Sequence, residues 1–155
     1  MFTINTRLAN KNDVLEVAKL FDLYRQFYEQ VSDIHLAHTY IQARIERNES
    51  VIIVAEMENR AIGFCQMYPT FCSIEAAPIY SLYDLFVHPD FRRTGAGKTL
   101  LLAAEQSAKQ AGCVRMDLTT ARTNIQAQKL YEALGWVRDE VYFAYSKSVK
   151  PDVTY

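Results

Sequence analysis

The sequence predicts one α/β domain built on a mixed sheet, and three observations carry that prediction. Short strand-like runs such as VIIVAEM (Val51–Met57) are interleaved with stretches whose apolar residues recur at the 3.6-residue period of a helix. VIIVAEM and AIGFCQMYP (61–69) are joined only by a short polar turn at 58–60, which is the pattern of an antiparallel hairpin. IYSLYDLFV (79–87) and the alternating Val114, Met116 and Leu118 are instead separated by one helix-length segment. Such a pair is expected to run parallel, with a right-handed crossover. The 155 residues suffice for one substantial core, and no repeat, low-complexity stretch or Pro/Gly/Ser linker divides them. The expectation is therefore a single domain over 1–155 with about four flanking helices.

The elements follow in order. Phe2, Ile4 and Thr6 alternate with polar residues and predict a first strand. Asn12 or Asp13 then caps a helix carrying Val14, Val17, Ala18, Phe21 and Tyr28 on one face. A second helix is expected over Ile34–Glu46, followed by the hairpin. The fourth strand, 79–87, is stopped by His88-Pro89-Asp90. A glycine-bearing loop leads into a helix over 97–111, closed by Gly112, and the fifth strand follows. The last helix spans 124–134, with Ala127, Leu130, Tyr131 and Leu134 on one face and Gly135 ending it. A further strand near 142–146 is expected to close the domain.

Composition narrows the function. Half the residues are hydrophobic, 23% are charged and the net charge is −1, so the footprint of a nucleic-acid binder is missing. No apolar run approaches the roughly 20 residues of a membrane helix, and MFTINTRLANKND lacks the pattern of a secretory signal. The three cysteines, Cys65, Cys72 and Cys113, form no CxxC pair, which suits a reduced, cytoplasmic protein. His35 and His38 lie three apart without a third ligand nearby, so no metal site is expected.

The stretch RRTGAGKT (92–99) carries the chemistry. A Walker A loop would need its first glycine where Arg92 stands, and a dinucleotide fingerprint fails at Leu100. What remains is R/Q-x-x-G-x-G/A, formed by Arg92, Gly95 and Gly97 between a strand and a helix. Gly95 and Gly97 let the backbone approach a phosphate, the helix N-terminus offers N–H groups, and Arg92, Arg93 and Lys98 add positive charge. Together with N-x-x-A-x-x-L-Y-E-x-L-G-W (Asn124, Ala127, Leu130, Tyr131, Glu132, Leu134, Gly135, Trp136), this resembles the GNAT family of N-acetyltransferases.

The resemblance implies a mixed, mostly antiparallel sheet whose fourth and fifth strands splay apart to admit acetyl-CoA. By the same resemblance the loop residues Arg92, Arg93, Thr94, Gly95, Ala96, Gly97, Lys98 and Thr99 hold the cofactor's phosphates. The backbone of Leu85, Phe86 and Val87 pairs with its pantetheine amides, and Asn124 and Ala127 meet the pantetheine arm. Asn124 is equally an N-cap.

Transfer to an amine raises two proton problems. A lysine-like amine is neutral in roughly one molecule in two thousand at pH 7, and the departing thiolate needs a proton. Tyr131 occupies the family's general-acid position. Asp84, a carboxylate placed mid-strand among Leu82, Leu85 and Phe86, is the candidate on the amine side. It holds the ammonium, accepts its proton through water, or anchors a loop; many family members carry Glu on this strand, often one position away. An aromatic and acidic acceptor site is expected from Tyr24, Tyr28 and Glu29. Tyr83 joins them, because YDLFV is similar to the corresponding stretch of spermidine/spermine-type and thialysine-type acetyltransferases.

The resemblance thus implies acetyl transfer to a small primary amine (a polyamine, a diamine or an amino-acid-like acceptor) by direct attack in a ternary complex. Transfer to a protein lysine or N-terminus, and a non-catalytic acyl-CoA-binding module, are the alternatives. Family members are often dimers, and the apolar segment 141–145 offers a surface for a homodimer.

Overall fold

The computed structural model describes residues 2–150, which divide after Thr119 into two compact units. The first unit is built on a five-stranded sheet of order β1-β2-β3-β4-β5, comprising Asn5–Leu8, Val51–Met57, Arg60–Cys72, Ala77–Val87 and Arg115–Asp117. The first four strands pair antiparallel and β4 pairs parallel with β5. The β2–β3 turn puts Glu58 and Asn59 at φ 51° and 62°, the left-handed geometry of a tight two-residue hairpin.

Helices α1 (Val14–Phe27) and α2 (Ile34–Glu46) cover one face of the sheet. Val17, Ala18 and Phe21 of α1 and Ala37 and Ile41 of α2 pack with Ile52, Val54, Phe64 and Phe86 in one buried cluster. Helix α3 (Ala96–Gln110) packs against β2, β3 and β4 and buries Leu100, Leu101, Ala104 and Ala108. Alternation along the strands assigns the faces: Phe64 and Gln66 share the α1 side with Asp84 and Phe86, and Cys65 faces α3, its thiol 4.0 Å from the Leu100 carbonyl.

The cap of α1 lies earlier than Asn12 or Asp13. Asn10 accepts from the Asn12 N–H at 2.8 Å and opens a 3-10 turn, Lys11–Asp13, that runs into the helix. Asp13 is drawn elsewhere: its carboxylate takes two 2.8 Å bonds from Arg7 and one of 2.7 Å from the Asn10 N–H. Asp33 caps α2 through the Leu36 N–H at 2.9 Å.

Helix α4 (Ile125–Ala133) belongs to the second unit. Asn124 caps it through the Ala127 N–H at 3.3 Å. Gly135, at φ 88°, closes it: its N–H returns to the Glu132 carbonyl and that of Trp136 to the Tyr131 carbonyl. The strand expected near 142–146 is not found among the described residues. Asp139 shapes the start of that segment. Its Oδ1 accepts from the N–H groups of Val141 at 2.8 Å and Tyr142 at 3.1 Å, a local turn that consumes donors a strand ladder would need.

Candidate active site

The register of β3 against β4 creates the local geometry of the site. Gln66 faces Asp84 and Met67 faces Leu82, so Tyr83 is an extra residue on β4, a β-bulge. The Tyr83 side chain is largely exposed, with its ring edge-on to that of Tyr68 at 5.5 Å, and its carbonyl accepts from the Tyr24 hydroxyl at 3.1 Å. The bulge therefore ties β4 to α1 and brings Asp84 under that helix.

Asp84 is 3% exposed and Gln66 fully buried. The Gln66 side-chain amide donates to Asp84 Oδ2, and Gln66 Oε1 accepts from Ser50 Oγ at 2.7 Å, so a chain of polar groups runs from Ser50 through Gln66 to the carboxylate. Burial pushes the Asp84 carboxyl above its ordinary value; the bond from Gln66 and the nearby Tyr24 hydroxyl oppose the shift without cancelling it. Burial, and then the Asp84 charge, raise the Tyr24 phenol in turn. The result is a carboxylate with strong appetite for a proton or a cation.

A cavity of about 440 Å³ opens above this carboxylate. Phe21, Tyr24 and Arg25 line it from α1, Leu36 and Tyr40 from α2, and Tyr68, Tyr83 and Asp84 from the sheet. The Tyr40 and Tyr68 hydroxyls are bonded to each other at 2.6 Å, and the Phe21 and Tyr40 rings stack with centroids 5.2 Å apart. Of the sequence-predicted acceptor residues, Tyr24, Tyr83 and Asp84 meet here. Tyr28 reaches only the edge of the Tyr24 ring, at 5.1 Å, and Glu29 sits past the end of α1 at φ 60°, outside the lining. Tyr40, Tyr68 and Arg25 also line the cavity, and Gln66 lies against Asp84, none of them marked by a motif. Gln66 carries a readable signal: an amide in the middle of the apolar run GFCQMY, like Asp84 in its own strand.

At the far end of β4 the chain makes a second, separate arrangement. Pairing with β5 covers 79–81 only, and β4 runs on to Val87. The loop that follows places Gly95 at φ 93°, and α3 begins there with no side-chain cap, so its first N–H groups have no capping side chain, the arrangement in which a helix start can accept an anion. Arg93, Thr94 and Lys98 are exposed around it, and Ala96 and Gly97 supply the opening turn. Thr94 Oγ1 donates to the Phe91 carbonyl at 2.7 Å and Thr99 Oγ1 to that of Gly95 at 3.1 Å, fixing the loop's shape. Arg92 turns back on the strand: its Nε donates to the Val87 carbonyl at 3.2 Å and its guanidinium lies over the Phe86 ring at 5.6 Å. These features, an uncapped helix start, a left-handed glycine and a strand end free of its neighbour, fit an extended thioester carrying a pyrophosphate.

Tyr131 and Asn124 lie in the second unit. The Tyr131 ring is 6.1 Å from that of Trp136 and its carbonyl anchors the helix end, while Asn124 is committed to its cap. Among the described residues no helix is long and apolar enough to cross a membrane, and no cluster of His, Cys, Asp and Glu could hold a metal.

The pattern of the acetyltransferase (GNAT) family matches residues 17–136. The chain belongs to the GNAT family. A Bacillus subtilis relative, the uncharacterized N-acetyltransferase YhfO, is 43% identical over 146 residues, covering 94% of this chain and 98% of its own. The aminoglycoside N(6')-acetyltransferase type 1 of Salmonella typhimurium is 29% identical over 120 residues, 74% of this chain and 80% of that one. Among solved structures, a probable acetyltransferase superposes with a TM-score of 0.88 at 33% identity, covering 96% and 99% of the two chains. An aminoglycoside acetyltransferase in complex with CoA, at 22% identity and TM-score 0.80 over 95% and 96% of the chains, shares the GNAT fold. The protein is an acetyltransferase enzyme, and its family uses acetyl-CoA.

Proposed function

We propose that the protein transfers the acetyl group of acetyl-CoA to a primary amine of a small molecule bound in the cavity above Asp84. The cavity carries the proposal: about 440 Å³, with aromatic walls and one buried carboxylate, lies within the range of small-molecule sites. The type 1 aminoglycoside relative, whose acceptor is a small molecule, supports the same class. Both units act as one catalytic domain, a reading supported by a family match that runs across their division.

When bound, acetyl-CoA supplies an activated acetyl thioester. The residues 92–99 and the N–H groups opening α3 hold its phosphates, and the backbone at Leu85, Phe86 and Val87 meets its pantetheine arm, as do Asn124 and Ala127. Asp84 attracts the acceptor's ammonium and takes its proton, directly or through water, leaving a lone pair on nitrogen. Nitrogen would then bond to the acetyl carbon as the carbon–sulfur bond breaks; Tyr131 would give its hydroxyl proton to the departing sulfur, and the second proton lost from nitrogen would return through water to the tyrosinate. We place this reaction in the cytoplasm, with 141–145 pairing two copies in a homodimer; sedimentation of the purified protein checks the dimer.

The deciding experiment measures CoA thiol release from acetyl-CoA across polyamines, diamines, amino acids, aminoglycosides and lysine peptides, with products identified by mass. An acetylated small amine is expected, and Tyr131→Phe should reduce its turnover about 10²-fold or more while CoA affinity holds. Acetylation of lysine peptides alone would move the acceptor to proteins. An unchanged Tyr131→Phe turnover would remove Tyr131 as the acid.

A further inference from the structure

We infer that the acceptor is a zwitterion, an amine that also carries a carboxylate, with Asp84 receiving its cationic end and Arg25 its anionic end. This rests on the reading of the cavity as the acceptor site.

Arg25 follows Phe21 by one turn of α1, so both side chains lie along the same face, and both line the cavity. Its Nη1 is buried and has no hydrogen-bond partner. A guanidinium N–H withdrawn from water without an acceptor is an uncommon and unfavourable state, and Arg cannot relieve it by losing a proton. The Arg25 charge acts on the carboxylate of Asp22, three residues back on α1. That carboxylate is already committed: Oδ2 accepts from Ser32 Oγ at 2.6 Å and Gln26 Nε2 at 2.9 Å, and Oδ1 from the Asp33 N–H at 2.8 Å. Arg25 is thus held at the cavity with donor capacity that its own neighbours do not use.

The same cavity contains Asp84, so it offers one anion and one cation with aromatic rings between them. A polycation would bring a second positive charge to the guanidinium, and a simple alkylamine would leave the guanidinium without an acceptor. A carboxylate satisfies the guanidinium with charge-assisted, forked hydrogen bonds, while its amine faces Asp84. The rings of Tyr24, Tyr68 and Tyr83 favour a hydrocarbon or aromatic segment joining the two ends.

Matched pairs that differ only in the carboxylate test this: ε-aminocaproate against hexylamine, L-phenylalanine against phenethylamine, and L-lysine against cadaverine. In at least one pair the carboxylate-bearing member should show a kcat/KM higher by about tenfold or more, the effect of one charge-assisted pair. The ratio should fall to near one in Arg25→Gln, recover in part in Arg25→Lys, and stay as in the parent in Lys109→Gln, on the far helix. Circular dichroism and Tm establish that each variant is folded. Acetylation without preference in any pair, or a preference that survives Arg25→Gln, overturns the inference and leaves the transfer reading standing. If no amine is acetylated, the transfer reading fails, and calorimetric binding of ε-aminocaproate against hexylamine decides the inference. Tighter binding of the former that depends on Arg25 supports it, and equal binding sinks it.

Discussion

Gln66 and Asp84 face each other across β3 and β4, and the amide of one donates to the buried carboxylate of the other. A fully buried amide thus steadies a carboxylate that lines an open cavity. The pair holds a costly charge where an amine would meet it, which is the behaviour expected of a site that trades stability for function.

Asp84→Asn should separate those two properties. The Asp84 carboxyl is raised in the folded state, so the native protein binds the proton more tightly than the unfolded chain. Its effect on stability is therefore most favourable below the ordinary aspartate range and is lost as pH rises through the raised value. The substituted amide would keep the bond from Gln66 and carry no charge. We expect a higher Tm at pH 7, a flatter Tm–pH curve above the aspartate range, and acetyl transfer lower by about 10²-fold. A variant with unchanged turnover would show that Asp84 is structural.

Gly63→Ala should disturb the strand on which acetyl-CoA is proposed to lie. A Cβ on Gly63 would stand 2.8 Å from the Phe86 carbonyl oxygen and 3.3 Å from Val87 Cα, both backbone atoms that have little room to move. Overpacking of this kind costs about 1–3 kcal/mol, and here it pushes on the β4 end directly. Denaturant unfolding should register the loss of stability, and calorimetry a weaker CoA affinity. Normal CoA affinity in a destabilised variant would detach the cofactor from this part of β4.

Gly95→Ala acts by a different route. Nothing lies within 4 Å of its Cβ position, so no clash arises; the cost is the φ of 93°, which side chains rarely adopt. Strain of about 1–3 kcal/mol is expected, relieved by a shift in the turn that aims the first N–H groups of α3. CoA affinity should fall while the acceptor cavity, built from other elements, keeps its ligand. Equal loss of both in calorimetry would indicate general unfolding instead.

Much of this architecture is legible in the sequence because its signals are local. The strand Val51–Met57 and the helix Ile34–Glu46 have the bounds their patterns predict, one set by a polar turn and the other by the Asp33 cap. The parallel β4–β5 pair follows from the single intervening helix. What stays hidden depends on register. No glycine or proline marks the bulge at Tyr83, yet that extra residue accompanies the turn of its carbonyl to Tyr24 and the pairing of Asp84 with Gln66. Gly63 carries no turn signal because its constraint is a neighbouring strand, and Arg25, Tyr40 and Tyr68 converge only once α1 and α2 cross the sheet.

Asp22→Asn tests the frame that holds α1 against the following loop. Asp22 is 6% exposed; burial alone would raise its carboxyl, but the donors Ser32 Oγ, the Asp33 N–H and Gln26, with the nearby Arg25 charge, hold it below the ordinary aspartate value. The native state therefore releases this proton more readily than the unfolded chain. The stability it contributes is present above the unfolded value and is lost as pH falls through the lower, folded one. An asparagine presents an NH₂ to at least one of the three donors and leaves it unsatisfied, a cost of about 1–3 kcal/mol at pH 7. Denaturant midpoints measured from pH 7 down to pH 3 should show the parent losing stability toward acid, with the gap to the variant narrowing. A gap that holds constant across this range would mean that the contribution of Asp22 is independent of its charge.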